Sequence, residues 1–441
     1  MRPLGKGTSP SVPLQIEGGR KQRRKTSPSV PLQIEREDAE MEAESTPYRL
    51  KKDKGSGFSA IFTVMDFEKV LLHWPLMLFI FFCLLVLIRL FYFSFFFARL
   101  AFYKEKLKIN SRTHAVSVII CARDEAANLA KNLPGSLVQV YDTTHEVIVV
   151  NDNSFDESKY LLEEIKKEFR QLQVVELTQE AKMIPGKKFP LSIGIKTAKY
   201  EIVLLTDADC VPASEYWISS MQNVYDDDTE IVLGYGAYQK QTGFLNKLIR
   251  WETYHSALQY MSYALAGITY MGVGRNLSYK KAIFYRHKGF SAHNHIPGGD
   301  DDLFINMAAT SKNVKINTDK ESFTISAPAG SWGQWKSQKN RHYTTSKYYR
   351  PLHKFLLGMY ALSQFLFYPV LIAAALLYNW QLCLILLGVV LLMQGIVYAK
   401  TMKKLGEKDL LPWFILFELW MFFYYVIFAH SLVKKPKQNW K

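Results

Sequence analysis

From Leu71 to Ala98 the chain is almost entirely apolar or aromatic, with Arg89 the notable interruption. A helix of that length covers the hydrocarbon core of a bilayer, which needs about 20 apolar residues. Arg99, Lys104, Lys106 and Lys108 follow at once, as basic residues do on the cytoplasmic side of a span. A cleaved signal peptide would be shorter and would end in small residues, and this run does neither. A helix buried in a soluble protein is the plainer alternative, and the basic flank argues against it. Three further apolar stretches run from Phe355 to Tyr378, Trp380 to Ala399 and Pro412 to Val433. The loop KTMKKLGEKD and the tail KKPKQNWK are both basic, so the positive-inside rule puts both in the cytoplasm. One crossing cannot begin and end on the same side. Either the last stretch is re-entrant or interfacial, or one basic flank breaks the rule.

Before the first run, residues 1–64 are rich in Pro, Ser, Lys and Glu, a composition that does not build a core. The decapeptide TSPSVPLQIE occurs at Thr8–Glu17 and again at Thr26–Glu35. Two polar copies do not make a solenoid. The segment reads as a disordered, duplicated leader, with Met65 a candidate start. Residues 65–112 then form an N-terminal anchor and basic linker, 113–349 a catalytic domain, and 350–441 a C-terminal membrane region with two or three spans.

In the central segment, short apolar runs alternate with amphipathic ones. VSVIICAR (Val116–Arg123), EVIVVND (Glu146–Asp152), VVEL (Val174–Leu177) and EIVLLTDAD (Glu201–Asp209) read as buried parallel strands. The expected fold is therefore α/β, a doubly wound nucleotide-binding domain with ligands beyond the strands' carboxyl ends. The net charge of +15 raises nucleic acid as a partner. Much of that charge flanks apolar runs, however, and there is neither a zinc knuckle nor an RNA-binding motif. No nucleic-acid partner is expected. Cys83, Cys121, Cys210 and Cys383 have no paired spacing, which fits a reducing compartment.

Four acidic or basic groups carry the candidate chemistry. Asp207 and Asp209 close the strand EIVLLT, where two carboxylates can hold Mg2+ or Mn2+, hard cations that prefer oxygen. Asp152 ends the second strand, placed either to bond a base or ribose or to cap the next helix, and Asp124 and Glu125 share that ambiguity. Asp300, Asp301 and Asp302 repel one another, which raises a carboxylate's pKa and suits a general base. The bland reading is a helix N-terminus. Gln338, Arg341 and His342 in SQKNRHY can clamp phosphate or stack on a sugar, although alone they read as a basic stretch near a membrane.

Taken in order, these pieces resemble the inverting family 2 glycosyltransferases of the A-type fold, which include cellulose and hyaluronan synthases. The resemblance covers about Ala115 to Tyr349. SVIICARDEAANL is similar to the family's opening strand and loop, and Asp152 matches its uridine-contacting aspartate. Lys188 or Lys187, in GKKFPLSIGIKTAK, would approach the nucleotide, with Lys188 the preferred position. Asp207 and Asp209 match the metal triplet, GVGRNLSYKK a loop beside the sugar, and GGDDDLF the acidic pair, with Asp301 as base and Asp300 its neighbour. QKNRH stands where processive members carry Q-x-x-R-W, and His342 in place of Trp counts against processive synthesis. The resemblance implies an inverting, metal-dependent transferase with a UDP-sugar donor and a lipid-linked or glycan acceptor. It would be anchored among the lipids of a bacterial inner or plasma membrane, its catalytic domain cytoplasmic. A processive synthase and an inactive nucleotide-sugar-binding protein are the alternatives. A transporter would not explain acidic groups closing successive strands, and a nucleotidyltransferase would carry an early glycine-rich loop.

Overall fold

The computed structural model describes residues 73–104, 114–178 and 184–428. The expected leader 1–64, the linker residues 105–113 and the basic tail lie outside the described residues. The chain divides into Met1–Val64 and Met65–Lys441, and everything below concerns the second unit.

The first apolar run is one helix, α1 (Trp74–Ala101), with Pro75 in its first turn, where the missing N–H costs nothing. The four strands read from the sequence follow as β1 (Val116–Ala122), β2 (His145–Asp152), β3 (Leu172–Leu177) and β4 (Ile202–Asp207). Between them lie α2 (Ala126–Leu137), α3 (Ser158–Glu168) and α4 (Lys188–Thr197). Every residue of β1 is buried, as both faces of a parallel sheet require. Ile119 and Cys121 share one core with Leu191 and Ile195 of α4, while Val118 and Ile120 share the other with Leu129 and Leu133 of α2. That two-sided burial explains why the run lacks hydrophobic alternation.

The chain continues through β5 (Cys210–Pro212), α5 (Trp217–Gln222), β6 (Ile231–Leu233), β7 (Gly236–Tyr238), α6 (Phe244–Leu265), β8 (Leu277–Lys280) and α7 (Lys281–Arg286). It completes the domain with α8 (Asp302–Ala308), β9 (Val314–Ile316), β10 (Thr324–Ser326) and α9 (Trp332–Tyr343). The main sheet has the order β3-β2-β1-β4-β8-β6-β9, and β5-β10-β7 form a small second sheet. Strands β3, β2, β1 and β4 are parallel, whereas β8 runs antiparallel to both β4 and β6. From β1 the chain moves to β2 on one side and later to β4 on the other. The connections at that point leave in opposite directions and open a crevice at the carboxyl ends of β1 and β4.

Three more helices close the described chain: α10 (Pro351–Ala374), α11 (Trp380–Lys404) and α12 (Phe414–Phe428). Trp74–Ala101, Pro351–Lys404 and Lys408–Phe428 are each long and apolar enough to cross a membrane. Within 351–404 the path breaks at Asn379, whose extended backbone and side chain cap Leu382 N–H at 3.0 Å. Helix α6 lies beneath these helices, buried nearly all round, with Trp251 and Tyr254 against Tyr398 of α11 and Tyr263 stacked on Phe96 of α1.

Candidate active site

Asp207 is the last residue of β4 and pairs in register with Cys121 of β1, so it stands in the crevice by construction. The chain then turns within two residues into β5, and Asn132 of α2 fixes the turn by donating to Ala208 O at 3.0 Å. This turn leaves Asp209 exposed and brings one ligand atom each from Asp207, Asp209 and Cys210 within 4.8 Å of one another. The two carboxylates fit a hard divalent cation. The Cys210 thiol does not, because sulfur is a soft ligand and Mg2+ and Mn2+ prefer oxygen.

Lys187 forms an ion pair with Asp207. Burial opposes ionisation of Asp207, but Lys187, with Arg275 and Arg341 farther off, holds its pKa below the usual value. Asp209 is shifted the other way by desolvation among the surrounding crevice walls, although its side chain opens to solvent, and by Asp207. Of the pair, Asp209 is therefore the carboxylate with no lysine paired to it among the described contacts.

Lys188 departs from expectation. Its ammonium donates to His293 O at 2.9 Å and to the carbonyls of Ile296 and Gly298, which uses all three of its protons. Burial lowers its pKa to about 8, against the pull of Asp300, Asp302 and Asp301. The lysine paired with Asp207 is Lys187. Lys188 instead pins the loop that leads into the acidic triplet. Gly186 makes that junction possible, since its φ is +80° and a Cβ there would sit 2.1 Å from Pro297 O. Gly186→Ala should cost about 1–2 kcal/mol from the left-handed backbone alone, and more because a backbone carbonyl cannot step aside. An unchanged urea midpoint would refute this packing.

The three adjacent aspartates have three different surroundings. Asp302 is buried and accepts from Tyr349 Oη at 2.8 Å, from Thr345 and from Leu303 N–H, so it ties α8 to the segment after α9. Asp301 caps α8, accepting from Asp302 N–H at 2.7 Å and from Gly274 N–H at 2.8 Å. Burial, then Asp300 and Asp302, push its pKa up to about 8. Asp300 is half-buried and close enough to act on Lys187 and Cys121. The Cys121 thiol is a useful reporter here. Burial pushes it up to about 12, and it feels Lys187, Asp300, Asp207 and Asp152 together. Carboxylates from three separate parts of the chain thus lie within electrostatic reach of the end of β1.

Asp152 is buried at the end of β2. Asp124 has a left-handed backbone, and its carboxylate accepts from Phe155 N–H at 2.8 Å, stapling the loops after β1 and β2. Gln338 on α9 reaches Tyr238 Oη at 3.3 Å. Arg341 is exposed on the same helix, which also carries His342, and its charge reaches Asp207.

Sequence reasoning passed over Arg275. Its guanidinium donates to Ser326 Oγ and Gly236 O, both at 2.9 Å, and lies over the Tyr238 ring at 4.5 Å. So held, it acts on both Asp207 and Asp209. Its neighbour Gly274 bonds Asp301, so one short loop joins the two acidic groups. The only hint in the sequence was a lone arginine in a glycine-rich stretch.

The model of the family described as "Glycosyl transferase family 2" matches residues 117–287. A beta-monoglucosyldiacylglycerol synthase of Nostoc sp. is 32% identical over 122 residues, covering 27% of this chain and 25% of that protein. The Trichormus variabilis protein of the same name is 32% identical over 103 residues, 23% of this chain and 21% of its own. The chain thus spans about a quarter of the length of the curated relatives it matches. Among solved structures, a mannosyltransferase from Pyrobaculum calidifontis, in complex with GDP-Man and Mn2+, aligns with 78% of this chain and 98% of its own at 18% identity and a TM-score of 0.48. Over residues 117–287 the chain is therefore similar to glycosyl transferase family 2.

Proposed function

We propose that the protein is a membrane-bound glycosyltransferase that moves a sugar from a UDP-linked donor to a lipid-linked or glycan acceptor, inverting the anomeric carbon. The reading rests on the meeting of Asp207, Asp209 and the Asp300–Asp301 pair at one rim of the sheet, with Lys187, Arg275 and Arg341 around them. The curated relatives' name, a glucosyldiacylglycerol synthase, favours a lipid acceptor over a polysaccharide. The apolar helices beside the domain would hold it at the surface where such an acceptor lies.

Asp152 contacts the uridine. Asp209, with Asp207 beside it, would hold Mg2+ or Mn2+, which would supply Lewis-acid stabilisation of charge on the departing diphosphate. Lys187, Arg275 and Arg341 add fixed positive charge around the same oxygens. Asp301 takes the proton of the acceptor hydroxyl as its oxygen bonds to C1. The C1–phosphate bond breaks with its electron pair leaving on the nucleotide diphosphate. Attack from the opposite face converts an α-linked donor into a β-linked product.

The test is nucleotide diphosphate release from a panel of nucleotide-sugars by membranes carrying the protein. Release is expected with a UDP-sugar, to stop with EDTA, and to return with Mn2+ or Mg2+ in the wild type but not in Asp209→Asn. Nucleotide binding without release would favour the inactive binding protein instead.

A further inference from the structure

We propose that α12 does not cross the membrane but lies along its surface on the catalytic side, bedding one face in the lipid leaflet, so that the chain crosses three times, through α1, α10 and α11. The inference rests on the membrane-bound reading above and concerns how the helices meet the lipid.

The three crossing helices are identified by their mutual register. At one end Phe79 of α1 stacks on Tyr378 at 4.7 Å, and Phe82 packs on Phe367 of α10 at 5.5 Å. At the other end Tyr92 Oη donates to Leu356 O at 2.6 Å, Phe93 meets Tyr398 of α11 at 5.4 Å, and Lys404 Nζ donates to Tyr103 O at 2.8 Å. Helix α10 thus runs antiparallel to α1, and α11 runs parallel to it. Their far halves form a core of their own, built from residues such as Phe82, Val86, Phe367, Ala374 and Val390, to which α12 and the catalytic domain contribute nothing.

Helix α12 packs instead in the larger core that the catalytic domain shares with the near ends of the crossing helices, where its Glu418 pairs with Arg89 of α1. Phe417, Met421, Tyr424 and Phe428 are buried there at helical spacing. Phe417 packs on Trp251 at 5.1 Å, Tyr424 Oη bonds Glu252 at 3.3 Å, and Phe428 packs on Trp335 at 5.4 Å. These contacts run the whole helix, about 22 Å at 1.5 Å per residue. A crossing helix would have left the domain by that distance. Over its described residues, Phe414–Phe428, this one does not.

Its opposite face is apolar and open, with Ile415, Leu416, Leu419, Phe423 and Val426 all more than 40% exposed. That face joins the equally open apolar flanks of the three crossing helices, such as Leu392 and Ile396 of α11, so one lipid surface covers both. Trp413 sits under Lys247 at 4.0 Å and Trp420 against Trp332 at 6.2 Å, amphipathic rings of the kind that gather at headgroup level. An in-plane α12 also returns the basic loop 400–409 and the basic tail to one side, as their charge requires.

The experiment uses the full chain in proteoliposomes and intact cells. A protease-cleavable tag at the C-terminus and a cysteine at Lys408, in a chain carrying Cys83→Ala, are expected to be reached by impermeant reagents from the same side only. Opposite sides would overturn the proposal. Spin labels placed singly at Leu416 and Val426 should report similar depths. A separation near the ~15 Å rise of ten helical residues would overturn it equally. Release of the protein from membranes by alkaline carbonate would instead sink the membrane-bound reading itself, leaving the two failures distinguishable.

Discussion

Asp301→Asn is expected to lower kcat about 10²–10⁴-fold while leaving donor binding nearly unchanged, because removing a general base affects the transition state and not the ground state. The substitution keeps the shape of the helix cap. It removes the lone pair that would take the acceptor's proton. Burial beside Asp300 and Asp302 lifts the Asp301 pKa to about 8, and a base must be ionised to act. The wild-type kcat/KM should therefore climb with pH through about 8 and level off above it, and no such limb should remain in the residual activity of the variant. Stability gives an independent readout. A carboxylate whose folded pKa lies above its unfolded value, about 3.9, contributes stability that is complete below the unfolded pKa and is lost as pH rises through the folded one. The wild type should lose stability between about pH 4 and pH 8, and the asparagine variant should not. The asparagine NH2 also meets the N–H of Gly274 or Asp302, a pH-independent loss of about 1 kcal/mol. The difference in melting temperature should thus move in the variant's favour as pH rises. Unchanged turnover in Asp301→Asn would move the base elsewhere, with half-buried Asp300 the next to test.

Much of this architecture was readable in advance, for a specific physical reason. Strands buried on both faces, such as Val116–Ala122, are continuous apolar runs, and an aspartate directly after one must stand at the sheet's rim. What escaped prediction depends on contacts between distant parts of the chain. Lys187 and Lys188 are equivalent in sequence, and only the carbonyls of His293, Ile296 and Gly298 decide which of them turns away from Asp207. Asp302 differs from Asp301 because Thr345 and Tyr349, more than 40 residues on, reach it. Arg275 is set in place by Gly236 and Ser326, which belong to three-residue strands too short to show a pattern. The last apolar run is long and apolar enough to cross a membrane like the others, and hydropathy could not reveal that one face of its described residues packs on protein.

The second large effect is expected outside the acidic cluster, where the helices join the domain. Arg250 of α6 is 2% exposed and pairs with Glu407, equally buried, and with Asp409 at 2.7 Å. Tyr235 Oη adds a bond to Glu407 at 3.2 Å. Lys240 ties the same loop through Gly406 O at 2.9 Å and Asp409 at 2.7 Å. Arg250→Met fills similar space but strands the Glu407 carboxylate in the interior, and breaking a buried pair in this way costs about 3–5 kcal/mol. Removing both charges, in Arg250→Met/Glu407→Leu, should recover most of that loss, since the penalty lies in the unpaired charge and not in the missing attraction. The pH dependence follows from the same cause. Burial already raises the Glu407 pKa despite the pull of Arg250, and losing the arginine raises it further. A raised carboxylate keeps its stability contribution below the unfolded pKa and loses it as pH climbs. The single variant should therefore be nearly normal in mild acid and markedly weakened at neutral pH and above. Thermal melts of the purified chain across that range read the effect directly. A double variant as unstable as the single one would mean that the pair acts through geometry, holding the loop to α6, and not through its charge.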